Sequence, residues 1–263
     1  MACMFMHMRQ RGVALSLVLV ALCVAPWVAA APATVRIGIG EYPPFKVESE
    51  KGGGALTELV VEAFKAKGIA ATVEWVPNNR AIAGVMSGHF DGSFGWAHSA
   101  ERDEALLFSS KPIYTYRMVF VQRAGENRDW STLADLTKTR IGITRGNFYS
   151  QPFADLQAQG VLTVDEASDD VNSLKKLVRK RVDLFPLEES VARYLITTKL
   201  DDNEASLLAV QDRAFWTVPI YFVVSKKIPN AQELMDAFDA GYRELQRTRR
   251  TDALERKLRR ATP

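Results

Sequence analysis

Arg102 stands in the stretch DGSFGWAHSAERDEALLFSSKPIY, Asp91 to Tyr114, in what reads as the first turn of a short helix. A helix start carries roughly half a positive charge, so a cation gains nothing from that end. Two uses stay open for its guanidinium. It can pair locally with Glu101, Asp103 or Glu104, or it can offer a planar fork to an anion from outside the chain. Other groups fall short of the chemistry they hint at. Gly38-Ile39-Gly40 opens like a dinucleotide-binding turn, but the third glycine position holds Pro43. The glycines at 52–54 lack the following Lys-Ser/Thr of a phosphate loop. Ser93 has Gly95 after it but Asp91 before it, so it is no nucleophile elbow. Ser173 and Lys176 have Ser-x-x-Lys spacing inside a charged helical run, where a solvated face is the simpler reading. His89 and His98, with no cysteine near them, do not make a zinc site. No metal or cofactor is expected.

These residues need a scaffold, and the chain has ample length for one. Its 263 residues, 47% hydrophobic and 25% charged, suit one large globular domain or two small ones. A formal charge of +3 is too mild to imply nucleic acid. The C-terminal QRTRRTDALERKLRR is basic, but Leu254 and Leu258 sit four apart among Asp252 and Glu255, which reads as an amphipathic surface helix. The N-terminus differs from the rest. Arg9 and Arg11 precede an apolar run from Val13 to Val24, and small residues follow. This is the pattern of a cleaved export leader, with Val28 and Ala30 at the −3 and −1 positions and the cut after Ala30. The run is short of the ~20 residues of a membrane span. Cys3 and Cys23, the only cysteines, fall in this leader, so the mature chain carries no thiol into an oxidising compartment. Leu22 is too bulky to precede a lipid-anchored cysteine, which argues against lipidation at Cys23. Losing Arg9 and Arg11 brings the 34 basic residues almost level with the 31 acidic ones.

The string RIGI occurs twice, at Arg36–Ile39 and Arg140–Ile143, each time as an apolar strand entering a loop. In each half, helical patterns and then an aspartate-started strand follow, at Asp91 and at Asp183. Strands are expected at 35–39, 71–76, 91–96, 116–122, 140–144, 161–164, 182–186, 206–210 and 217–224. Helices are expected at 55–67, 79–87, 100–106, 148–158, 169–179, 188–198 and 230–246, with a last one near 250–260. The order implies two similar α/β lobes with largely parallel sheets. Residues 1–30 are the leader, 31–122 the first part of lobe one, 123–215 lobe two, and 216–263 a return to lobe one. Two crossings make a hinge, and the cleft between the lobes is the expected binding site.

From about Thr34 onward the chain resembles the periplasmic solute-binding proteins of polar amino-acid uptake systems. The pieces that carry the likeness, in order, are RIGIGEYPPF, GGGALTELVVEAF, SGHFDGSFGWAHSAERDEALLFSSKPIY, IGITRGNFY, VRKRVDLFPLEESVARYL and FWTVPIYFVVSKK. The resemblance implies a two-lobed type II periplasmic-binding fold and a monomer in the periplasm. It implies no enzymatic activity, and capture of an amino acid or related carboxylate for an inner-membrane ABC-type permease. It puts Arg102 on the arginine that clamps the ligand carboxylate, Tyr42 on an aromatic that covers the ligand, and Glu188 on the acid that holds the α-ammonium. Each has a plainer alternative: a local ion pair, packing against Pro43 and Pro44, and a helix-start acid. Relatives carry hydroxyl residues where this chain has Gly95, Trp96 and Ala97, and threonines where it has Asn147 and Phe148. Arg80 is either a second cation at the cleft or a solvated helix start. These departures point toward a more anionic, aromatic or modified ligand. Two rival readings share the scaffold. One is a lyase similar to cyclohexadienyl dehydratases, acting on prephenate-like acids with Glu188 or Glu41 as the general catalyst. The other is a sensory domain without a transporter.

Overall fold

A computed structural model describes residues 34–126, 128–253 and 256. The leader, its cut after Ala30, both cysteines, and Leu254 and Leu258 lie outside these residues. The elements are β1 (Thr34–Ile39), α1 (Ala55–Lys65), β2 (Ala70–Trp75), α2 (Asn78–Ser87), β3 (Gly92–Trp96), α3 (Ala100–Ala105), β4 (Leu106–Phe108) and β5 (Tyr114–Arg123). After a short 3-10 turn at Leu133–Leu136 come β6 (Arg140–Thr144), α4 (Gln151–Ala158), β7 (Thr163–Ala167), α5 (Asp170–Val178), β8 (Phe185–Glu188), α6 (Glu189–Lys199), α7 (Asp202–Ser206), β9 (Leu208–Ser225) and α8 (Ala231–Arg247).

One large sheet runs β2-β1-β3-β9-β5-β8, with β4 also on β9, and β6 pairs with β7 in a second, two-stranded sheet. A single bridge from Ile141 to Leu184 sets β6 beside the start of β8. Pairing is parallel for β1 with β2 and β3, and for β6 with β7. It is antiparallel where β9 meets β3 and β5, and where β5 meets β8. The two long strands β5 and β9 pair from Tyr114–Ile220 to Arg123–Leu208, with register shifts between Met118 and Val121. Beside this pair, β9 carries β3 at Tyr221–Val224, and β5 carries β8 at Met118–Val121.

The helix periodicities hold. Leu56, Leu59, Val60, Ala63 and Phe64 are all buried on α1. Leu234, Phe238, Tyr242 and Leu245 are buried on α8. The helices approach so closely that a Cβ on Gly241 would run into the Ala63 carbonyl. Phe222 of β9 stacks on Phe238 with ring centres 4.3 Å apart, tying α8 to the sheet.

The first residue of each RIGI string is held by the same device. The Arg36 N–H donates to Asp91 Oδ2 at 2.7 Å, and the Arg140 N–H donates to Asp183 Oδ2 at 3.1 Å. In return the Asp91 and Asp183 N–H groups donate to the Arg36 and Arg140 carbonyls. Each aspartate thus fixes where its strand starts.

Several boundaries differ from the sequence expectation. The strands expected at 206–210 and 217–224 are one strand, because β5 pairs on both sides of the polar Gln211–Arg213 stretch, Val119 with Ala214 and Val121 with Val210, and the stretch itself bulges out of register. Residues 202–206 are helical instead, capped by Asp201. Helix α4 starts at Gln151, not at 148, because the Ser150 hydroxyl accepts the Phe153 N–H. The strand expected at 182–186 starts at Phe185, where pairing with β5 begins.

Candidate functional site

A cavity of about 550 Å³ opens over β5 and β9. Its floor is formed by alternate residues, Tyr116 and Met118 on β5 and Trp216, Val218 and Ile220 on β9. Successive strand side chains point to opposite faces, so residues two apart share one. One wall comes from the loop after β1, the end of β3 and the start of α3. The other comes from residues 147–151 between β6 and α4.

The end of β3 is built to turn a large ring inward. The register of β3 on β9 shifts between Phe94 and Trp96, and Gly95 between them has φ 89°. The bulge aims Trp96 into the cavity. Its Nε1–H donates to Ser93 Oγ at 2.8 Å, and the Ser93 hydroxyl donates to the Gly38 carbonyl at 2.6 Å, which locks the indole.

Arg102 borders the same space. The Ser99 hydroxyl caps α3 by accepting the Arg102 N–H, and Arg102 Nη1–H donates to the Ala97 carbonyl at 2.9 Å. Its guanidinium lies 5.2 Å from the Trp96 ring centre, within cation–π range. The local ion pair left open by the sequence does not form. Asp103 is 2.6 Å from His98 Nδ1 instead. Burial lowers the Arg102 pKa, against the weaker pull of Glu101 and Asp103.

Tyr42, Trp96, Ala97, Asn147 and Phe148 join Arg102 around the cavity. Tyr42 packs edge-on to Tyr116 at 5.6 Å, and Phe148, 58% exposed, stands perpendicular to Trp216 at 5.8 Å. Three expected residues are not among the lining residues. Glu188 is one of them, yet it pairs with Met118 of the floor, and the charge of its carboxylate acts on Tyr42 and Tyr116, which do line the cavity. That carboxylate caps α6, accepting the Ser190 and Val191 N–H groups at 2.7 and 3.0 Å. Burial pushes its pKa up to about 7, against those hydrogen bonds. Glu41 is exposed and accepts the Glu48 N–H at 3.0 Å. Arg80 is exposed on α2, two positions beyond the cavity residue Asn78, and residues two apart on a helix face different ways.

The residue that sequence reasoning missed is Lys46. It lines the cavity yet is only 4% exposed. Its Nζ donates to Asn78 Oδ1 at 3.2 Å and lies 5.9 Å from the Trp96 ring centre. Burial lowers its pKa to about 8. The available signal was the turn YPPFK. Tyr42 and Lys46 bridge across it, exchanging N–H···O bonds of 2.9 and 3.0 Å, and bridged partners share a face. Whatever side Tyr42 faces, Lys46 faces too.

With this geometry in hand, the comparisons identify the family. The model of the bacterial extracellular solute-binding proteins, family 3, matches residues 35–259, and the chain belongs to that family. Among curated proteins, none matches it in sequence. Among solved structures it is similar to an ancestral arginine-binding protein bound to arginine, with 22% identity, a TM-score of 0.68, and 86% of this chain and 98% of that one covered. A histidine kinase sensor domain with similarity to periplasmic binding proteins gives 19% identity and a TM-score of 0.69, with 86% and 95% covered. The amino acid ABC transporter substrate-binding protein AbpA from Streptococcus pneumoniae Canada MDR_19A, bound to L-arginine, gives 21% and 0.67, with 88% and 97% covered. At these identities the likeness is one of fold.

Proposed function

We propose that this chain is an exported receptor that captures a small carboxylate related to the amino acids and delivers it to an ABC-type permease in the inner membrane. The observation that carries this reading is Arg102, half-buried at the cavity, with its guanidinium bonded to a carbonyl and not to a carboxylate. A guanidinium fork held this way is suited to a ligand carboxylate. Tyr42, Trp96, Ala97, Asn147 and Phe148 would surround the ligand, and lobes of 31–122 with 216–263, and of 123–215, would close on it about β5 and β9. Export by the leader and release into the periplasm belong to the same reading, and the family's extracellular character supports them. The amino-acid-bound neighbours of like fold support a ligand of that kind.

A lyase on this scaffold needs a carboxyl group at the cavity. Glu41 faces solvent, which does not favour it as the catalyst, and Glu188, though it acts on Tyr42 and Tyr116, is held by the α6 cap. A sensor would use the same capture step, and one neighbour of like fold is a kinase sensor domain.

The test is a thermal-shift screen of the purified protein against amino acids and small organic acids. Ligands that bind the native state raise the melting temperature by mass action. The expected result is a dose-dependent rise with a subset of carboxylates that disappears in Arg102→Ala. A ligand that stabilises Arg102→Ala as well as wild type would overturn the clamp, and conversion of prephenate would overturn the receptor reading.

A further inference from the structure

Charge at the cavity is one-sided. Lys46 and Arg102 both border it, and no aspartate or glutamate is among the described residues that line it. Two buried acids, Glu188 and Asp170, act through space on Tyr42 of the cavity wall, and each also carries hydrogen bonds of its own. Glu188 caps α6, and Asp170 Oδ1 accepts the Thr144 hydroxyl at 2.7 Å and the Asn147 amide at 3.4 Å.

Lys46 is the more telling of the two cations. An ammonium has three donors, and among the described residues only Asn78 Oδ1 accepts from this one. Burying a cation with so few partners costs stability, so its retention calls for a partner that arrives from outside. Room for that partner is present. A Cβ on residue 95 would stand 3.6 Å from Lys46 Nζ and 3.5 Å from the Tyr116 hydroxyl, so the glycine leaves the front of the ammonium open. Trp96 is shared by both cations, with Arg102 5.2 Å and Lys46 5.9 Å from its ring centre.

We infer that the ligand of this cavity is a small acid with two anionic groups, one held by Arg102 and the other by Lys46, with its body against Trp96. This rests on the reading of the cavity as the solute site and narrows the solute class. Two negative charges balance the two cations, and the aromatic walls of Tyr42, Tyr116 and Trp216 suit a flat or apolar body between the charged ends.

The test is calorimetric titration of the full protein with aliphatic dicarboxylates from malonate to adipate and with the three benzenedicarboxylates. Benzoate, L-glutamine and L-arginine are the comparison. At least one dicarboxylate should bind tenfold or more tightly than benzoate and both amino acids, as expected for one extra charged hydrogen bond. Lys46→Met should erase that preference, and Lys46→Arg should restore part of it. The melting temperature of unliganded Lys46→Met should equal or exceed that of wild type, since the substitution removes a buried charge and separates lost binding from lost folding. A dicarboxylate preference that survives Lys46→Met overturns the inference. Tighter binding of glutamine or arginine than of any dicarboxylate overturns it too, while leaving the receptor reading intact. Binding of none of these acids overturns the inference, and the thermal-shift screen over the wider set then decides the receptor reading.

Discussion

Two regions of this molecule gather cations, and they treat them in opposite ways. At the start of β8, Arg123, Arg128 and Arg140 converge on the Asp183 carboxylate at 3.0, 3.2 and 3.1 Å, and Glu126 adds a second acid at 2.7 Å from Arg123. At the cavity, Lys46 and Arg102 reach only an amide oxygen and a backbone carbonyl. Both regions bury charge, but only the first contains its own counter-charge. A buried charge with a matched partner is part of the fold. One with only neutral partners carries an unfavourable desolvation energy that a bound anion can offset. The contrast therefore separates cations paired within the fold from cations whose only hydrogen-bond partners are neutral.

The largest expected effect comes from removing the acid in the first region. Asp183→Asn leaves three arginines around a neutral amide and should cost about 3 kcal/mol of stability, measured by urea unfolding. Burial alone would raise the Asp183 pKa, but hydrogen bonds from Arg140 and Arg123 outweigh it and hold the group well below the usual carboxylate range. The stability it supplies is therefore complete above the unfolded value near pH 4 and is lost as pH falls toward the lower folded value. Asp183→Asn should lack that acid-side loss. Next in size is Arg102→Ala, which should weaken solute binding roughly tenfold to hundredfold, the range of a hydrogen bond to a charged group. Unfolding midpoints should barely move, since the side chain gives up one carbonyl bond at a half-exposed site. An Arg102→Ala protein as unstable as Asp183→Asn would erase the distinction between the two regions.

How much of this contrast was legible in the sequence follows from what each residue depends on. The repeated RIGI and its distant aspartate were legible, because a strand, a helix and a returning strand leave periodic apolar traces. Arg102, Tyr42, Trp96, Ala97, Asn147 and Phe148 were legible through their motifs. The Asp183 cluster was not, since its arginines lie on three separate segments that only the fold assembles. Lys46 was hidden for a different reason. In EYPPFKVESE it has the look of a solvated lysine, and its burial is decided by a turn that folds it onto the face of Tyr42. Glu188 shows what a motif leaves out: the same acid caps α6 and acts through space on Tyr42 and Tyr116 at the cavity.

Lys46 sharpens the comparison through pH. Its pKa is lowered to about 8, from about 10.4 in an unfolded chain. Between those values the unfolded state binds more protons than the native state, so stability should rise with pH, by up to about 1.4 kcal/mol per unit. Lys46→Met should remove that increment. The difference between the two proteins' unfolding free energies from pH 7.5 to 10 measures it and cancels the other lysines and tyrosines. A difference that stays flat would mean that Lys46 is as well compensated as the arginines of the Asp183 cluster.

Arg80 defines the smallest effect and the third fate of a cation. It is exposed, among the described residues its side chain makes no ion pair, and it lies outside the cavity lining although Asn78 on the same helix is inside it. Its backbone N–H is satisfied by the Pro77 carbonyl and the Asn79 side chain, which the substitution leaves in place. Arg80→Ala should change stability by less than about 0.5 kcal/mol, as for most exposed positions without special contacts. Solute affinity, read in the same titrations, should stay within a factor of two. An exposed charge loses little water on folding, so nothing is gained by bringing it a counter-ion. A tenfold loss of affinity in Arg80→Ala would instead extend the binding surface along α2, and the division into paired, neutrally partnered and solvated cations would have to be drawn in a different place.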